Sequence, residues 1–173
     1  MHSFQLFCYA AVAMRELRVG VVGGGSRGQL HMKYFSRFEE VRLEVICDPI
    51  ENVRTGLAKR FKIPHQFGKI EQMIESVSLD AVVICVPAQL NFDTAMICLE
   101  AGLDTLLEKP PGMCVEETRK LQKVADRGGA RCMIGFNRRF NPSILGALNR
   151  VKRRGPIVTV VGEFHKNLVE IEG

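Results

Sequence analysis

The chain has 173 residues, 46% of them hydrophobic and 25% charged, with a formal net charge of +5. That balance excludes disordered and fibrous classes, and the length suits one domain of ordinary size with its own core. No apolar run reaches the ~18 residues of a membrane helix. The basic residues are spread out apart from Arg150, Lys152, Arg153 and Arg154, so neither a membrane nor a nucleic acid is the expected partner.

Six cysteines are present. None forms a C-x-x-C pair, and Cys47 and Cys85 lie inside apolar runs. Reduced, buried thiols in a cytoplasmic protein are expected, with no metal site. The segment from Phe4 to Ala13 is apolar and ends in Ala11-Val12-Ala13, like a signal-peptide cleavage site. It lacks a basic leader, however, and Met14 stands directly before the first strand. Residues 1–13 are therefore expected to be an upstream extension.

Leu17 to Val22 is a short β-branched run stopped by glycines, which predicts a buried strand. A helix is expected from Gly28 to about Phe38. Val41 to Cys47 reads as a second strand ending at Asp48 and Pro49, followed by a helix over 51–60. Gln66 to Gly68 leaves room for a very short third strand. The next helix runs from Lys69 to Ser76, with Ile70, Met73, Ile74 and Val77 on one face. Asp80 to Val86 is continuously apolar after its first residue, as in a central parallel strand buried on both faces.

Beyond Pro87 a helix over 90–101 ends at Gly102, a C-cap signal. Asp104 to Leu107 is a fifth strand, Val115 to Arg127 a helix closed by Gly128-Gly129, and Arg131 to Gly135 a sixth strand. Pro142 opens a helix to about Arg153, and Ile157 to Phe164 alternates like a last strand. Regular alternation of strand and helix from 17 to 154 predicts an α/β fold with a doubly wound parallel sheet, the Rossmann arrangement. The expected organisation is an extension over 1–13, a dinucleotide-binding domain over 14–141, and over 142–173 the beginning of a second, truncated α/β domain.

Gly23-Gly24-Gly25-Ser26-Arg27-Gly28 satisfies G-x-G-x-x-G through Gly23, Gly25 and Gly28. The first glycine permits the tight turn, the second lets a pyrophosphate approach the backbone, and the third lets helix and strand pack closely. The helix behind it offers free N–H groups and a positive end. Asp48, about 20 residues further on, stands where a ribose-binding acid belongs. Its carboxylate would repel a 2′-phosphate, and Pro49-Ile50 is not a basic pair, so NAD is expected ahead of NADP. Arg27 and Arg54 remain groups that could reach a phosphate.

Two further motifs follow. Glu108-Lys109-Pro110 comes directly after the fifth strand, and Gly135-Phe136-Asn137-Arg138-Arg139-Phe140-Asn141-Pro142 comes later. With the glycine loop, they make the sequence from about residue 17 onward resemble the glucose–fructose oxidoreductase/inositol dehydrogenase family, Gfo/Idh/MocA. The resemblance implies a nicotinamide enzyme that oxidises a ring hydroxyl of a sugar or cyclitol, with Lys109 as the catalytic residue. It makes Gly23, Gly25, Ser26, Arg27, Gly28, Asp48, Val86, Pro87, Asn91, Glu108 and Lys109 the candidate cofactor-binding set. Arg138 and Arg139 would shape a domain junction.

Two departures from the family stand out. Where its members often read Thr-Pro with a histidine a few residues on, this chain reads Val86-Pro87 and places Asn91, which cannot titrate near neutrality. Members also carry a second domain forming the substrate floor, of which only the opening is recognisable. His165 is read as a surface side chain, His31 and His65 as structural. The alternative to an oxidoreductase is therefore a dinucleotide-binding module without turnover. An unpaired strand at 157–164 would also favour self-association.

Overall fold

The computed structural model describes residues 15–163. The expected extension over 1–13 lies outside them, as do Phe164 and His165. The framework parts between Gly135 and Phe136 into two compact units.

The first unit is built on six parallel strands: β1 (Leu17–Val22), β2 (Val41–Cys47), β3 (His65–Phe67), β4 (Ala81–Ile84), β5 (Asp104–Leu107) and β6 (Cys132–Ile134). Their spatial order is β3-β2-β1-β4-β5-β6, the doubly wound order of a Rossmann fold. Five helices connect them: α1 (Ser26–Phe35), α2 (Glu51–Phe61), α3 (Ile70–Ser76), α4 (Asn91–Glu100) and α5 (Val115–Gly128).

The pleat explains how one sheet feeds two cores. Successive strand residues point to opposite faces, so neighbours such as Val21 and Val22, or Val82 and Val83, separate. Val22, Val82, Ile84 and Leu107 pack with Met73, Ala95, Cys98, Leu99 and Leu121 from α3, α4 and α5. Val19, Val21, Leu43, Ile46 and Val83 pack on the other face with Met32, Leu57 and Ala58 from α1 and α2.

Several boundaries differ from expectation for local reasons. Helix α1 begins at Ser26, ahead of the third glycine, because Gly25 is already extended and serves as N-cap. It ends at Phe35, where the Ser36 hydroxyl bonds back to the Lys33 carbonyl. Strand β4 stops at Ile84, and a 3-10 turn over Ala88–Leu90 precedes α4. At the other end Asp80 is a clamp residue, not a strand residue.

That clamp has a counterpart. Asp80 Oδ2 accepts from the Arg18 backbone N–H at 2.8 Å and from Arg18 Nε at 3.3 Å, and Arg15 bonds the other oxygen. Asp104 accepts from the Arg131 N–H at 2.8 Å and from Nε at 2.9 Å. The two carboxylates thus tie β1 to the start of β4, and β5 to the start of β6.

The second unit holds a 3-10 turn over Asn137–Phe140 and α6 (Pro142–Lys152). Asn141 caps α6 through its side chain, which accepts from the Ser143 N–H at 2.9 Å, and Pro142 takes the first helical position. The strand expected over 157–164 is not found among the described residues: 156–163 carry no regular element. Every strand of the sheet lies before Gly135, and a strand with no neighbour leaves its ladder groups unpaired. Val158, Val160 and Val161 are 92%, 77% and 82% exposed, so their alternation with polar residues buries nothing here.

The clamps imply a defined acid response. The Arg18 backbone N–H, and then the arginine side chains, hold the Asp80 carboxyl below its ordinary value. The Arg131 side chain, then its N–H, does the same for Asp104. A depressed carboxyl stabilises the fold above its ordinary pKa, and that contribution is lost as the pH falls through the lowered value. Denaturant unfolding followed from neutrality to below about pH 4 should show this loss. Asp80→Asn with Asp104→Asn should lower stability slightly at neutral pH, salt-dependently, and flatten the acid limb. An unchanged acid limb would show that the clamps do not contribute.

A candidate dinucleotide cleft and the lysine loop beside it

Sheet order reverses between β1 and β4, and in such sheets the crevice beyond the strands' carboxyl ends is where ligands bind. The glycine turn leaves β1 at this point. Gly23 has φ +95°, and a Cβ there would lie 2.4 Å from the Cys85 carbonyl oxygen. A Cβ on Gly28 would lie 2.0 Å from the Gly23 carbonyl oxygen. These two glycines are the contact between turn, helix and sheet. Gly25 differs: a Cβ there would meet no atom within 4 Å, so the space beside it is open.

Gly24 was not singled out by the motif, yet it is constrained. Its Cβ would fall 2.6 Å from Val53 and 2.7 Å from Leu57, and its N–H donates to Asp48 Oδ2 at 2.7 Å. Asp48 Oδ1 accepts from the Ile50 N–H at 2.9 Å. Asp48 is 8% exposed, so the carboxylate is fixed by one backbone donor on each oxygen. Each oxygen keeps a lone pair for another donor.

Turn, acid and the end of β4 open onto a cleft of about 570 Å³. Of the residues expected from sequence, Gly23, Gly25, Ser26, Arg27, Asp48, Val86 and Pro87 line it. Gly28 lies beneath the turn, and Asn91, Glu108 and Lys109 are not among the lining. Sequence reasoning missed Ile50, Ile70, Leu90 and Thr94. Ile50 and Leu90, 61% and 50% exposed, are apolar flanks unusual for a surface, and Ile50's position two residues after Asp48 was the available signal. Arg54 Nη1 reaches the carbonyls of Asp48 and Pro49 at 3.4 and 3.3 Å, so its guanidinium is engaged by the backbone of this turn.

Cys47 and Cys85 also line the cleft. Burial, and then the Asp48 charge, pushes the Cys47 thiol up to about 11. Burial, and then Glu108, pushes Cys85 up to about 12. Both are neutral walls at physiological pH. Among the described residues no cluster of ligating side chains could hold a metal ion, and no helix is long and apolar enough to cross a membrane.

The lysine loop follows β5. The Glu108 N–H donates to the Ile84 carbonyl at 2.9 Å, and its carboxylate oxygen lies 3.2 Å from His31 Nε2 on α1. His31, read from sequence as structural, bridges helix and loop. The Lys109–Pro110 peptide is cis, and Lys109 itself is exposed. At the loop's far end the Met113 N–H donates to Glu117 at 2.7 Å. Asn91, the first residue of α4, is 1% exposed, and its Nδ2 donates to the carbonyls of Glu108 at 3.0 Å and Pro110 at 2.7 Å.

A six-stranded parallel sheet in this order, with a glycine turn against a helix N-terminus, defines a Rossmann-type nucleotide-binding fold. The model of the oxidoreductase family Gfo/Idh/MocA, with its NAD-binding Rossmann fold, matches residues 17–136, and the chain belongs to that family. It is 36% identical over 132 residues to the rhizopine catabolism protein MocA of Rhizobium meliloti, covering 76% of this chain and 41% of MocA. It is 30% identical over 129 residues to inositol 2-dehydrogenase of Rhizobium meliloti strain 1021, covering 75% and 38%. Among solved structures, GenD2 of gentamicin A biosynthesis in complex with NAD is 28% identical with a TM-score of 0.78, covering 84% of this chain and 42% of GenD2. The chain thus spans about two-fifths of the length of these relatives.

The glycines permit a clean separation of packing from binding. Gly25→Ala should leave the thermal midpoint nearly unchanged, because its Cβ enters open space, while weakening NADH binding by filling the approach to the turn. Gly28→Ala should cost about 1–3 kcal/mol or more through overpacking. Thermal unfolding paired with an NADH titration reads both. A Gly25→Ala chain that binds NADH as well as the parent would remove the turn from the binding site.

Proposed function

We propose that this chain is the dinucleotide-binding part of an NAD-dependent oxidoreductase acting on a ring hydroxyl of a sugar or cyclitol. The observation that carries the reading is the open space at Gly25 between the uncapped start of α1 and the fixed carboxylate of Asp48. No side chain caps α1 at Gly25, so its first-turn N–H groups are free for a pyrophosphate. Arg27 lines the same space with a positive charge. A lone pair on each Asp48 oxygen matches a ribose diol, whereas a 2′-phosphate would meet a buried carboxylate. The apolar flanks Ile50, Ile70 and Leu90 suit a flat adenine ring.

When bound, NAD supplies the acceptor for the hydride. Lys109 is the catalytic residue in this reading. Its side chain hydrogen-bonds the reacting oxygen. As the free amine it takes the hydroxyl proton while hydride leaves the carbinol carbon, and as the ammonium it returns that proton to the oxygen in the reverse direction. The sugar or cyclitol class and the assignment of Lys109 rest on family likeness. The relatives include inositol 2-dehydrogenases and a D-glucoside 3-dehydrogenase.

A second reading is a dinucleotide-binding module without turnover. It is favoured by Asn91, a buried carboxamide at a position where family members often carry a histidine. Both readings require the cofactor site, and only the first requires chemistry.

Calorimetric titration should show NADH binding at least about tenfold tighter than NADPH, with the preference lost in Asp48→Ala. Equal affinities would sink the assignment of Asp48. Absorbance of reduced nicotinamide, followed with a panel of inositols and hexoses, separates the two readings. Turnover that falls by about 10²–10⁴ in Lys109→Met, with NADH binding retained, supports the first. Binding without turnover on any member of the panel leaves the second.

A further inference from the structure

Asn91 is absent from the cleft lining yet almost completely buried, so its role lies elsewhere. We infer that Asn91 is the positioning residue of the lysine loop: one carboxamide fixes the backbone on both sides of Lys109 and so sets where the ammonium group sits. The inference rests on the reading of Lys109 given above.

The composition of the loop creates the need. Lys109-Pro110-Pro111 contains a single backbone N–H, because proline has none. A segment so poor in donors is tied down mainly through its carbonyls, which requires a donor from elsewhere. No backbone N–H of the described residues donates to the carbonyl of Glu108 or of Pro110. Asn91 supplies both bonds from one nitrogen, at 3.0 and 2.7 Å, to the residues immediately before and after Lys109. Its orientation is unambiguous, since the flipped amide would set an oxygen against two carbonyls. Two bonds straddling one residue restrict the backbone rotation that would swing its side chain.

The chemistry of Asn91 also argues against a purely stabilising role. Its Oδ1 is buried and accepts from none of the described residues. A buried, unpaired acceptor is unfavourable, so the carboxamide is a poor choice for stability alone and a good one for holding two carbonyls. The other ties act elsewhere: Glu108 N–H to Ile84, His31 to the Glu108 carboxylate, and Met113 N–H to Glu117. None of them acts on the loop after Glu108 and before Met113.

The test is nitrogen-15 relaxation on the full chain and on Asn91→Leu and Asn91→His, below the thermal midpoint of each. In Asn91→Leu the order parameter of the Lys109 amide should fall from about 0.85 to below about 0.6, with Ile84 and Leu107 unchanged. Asn91→His, with one ring N–H available to a carbonyl, should lie between. A general structural role would lower the melting temperature without loosening this loop selectively. Saturating NADH should shift the Lys109 amide of the parent chain, and the shift should be roughly halved or less in Asn91→Leu. An Asn91→Leu loop as ordered as the parent overturns the inference. If that variant does not fold, Asn91→His decides on the same reading, parent-like order overturning it. A parent chain that binds NADH without any response at Lys109 overturns the lysine reading instead, while loop order still judges the clamp.

Discussion

The structure depends on one close approach. A side chain at Gly28 would collide with the Gly23 carbonyl at 2.0 Å, and one at Gly23 with the Cys85 carbonyl at 2.4 Å. These contacts press the first turn of α1 against the ends of β1 and β4, where the sheet reverses its order. Everything that makes the cleft follows from that placement. The uncapped helix N-terminus faces it, and the Gly24 N–H comes within 2.7 Å of Asp48. The loop after β4 closes the opposite wall. With bulkier residues there the sheet could still form, but its crevice would have no floor.

Much of this was legible in the sequence because it is local or periodic. The apolar runs marked the strands, and the spacing of Gly23, Gly25, Gly28 and Asp48 marked the cleft, since each acts within one β-α-β unit. The steric demand on Gly24 was invisible, because it comes from Val53 and Leu57 on α2. Likewise the pairing of His31 with Glu108 spans 77 positions. A chain reading shows only a histidine on one helix and a motif glutamate elsewhere.

Asn91 shows the same limit more sharply. Its place in a family pattern pointed to the cofactor, whereas its contacts point to the backbone around Lys109. Position along the chain identified a residue of consequence; only tertiary geometry showed which group it serves. The alternating run after Gly155 misled for a related reason. Alternation records β propensity, but a strand exists only where a neighbour accepts its backbone, and the described residues 157–163 have none.

The two aspartate–arginine clamps sit where strands enter the sheet, at Asp80 with Arg18 and at Asp104 with Arg131. Every loop that lines the cleft departs from the opposite rim. Fastening and recognition therefore occupy different poles of the domain. Drift in the loops after β2 or β4 can retune which ligand is held without loosening the joints, and drift in the joints can retune thermal resilience without touching the ligand. A scaffold divided in this way can be reused for many substrates while its foundation stays the same.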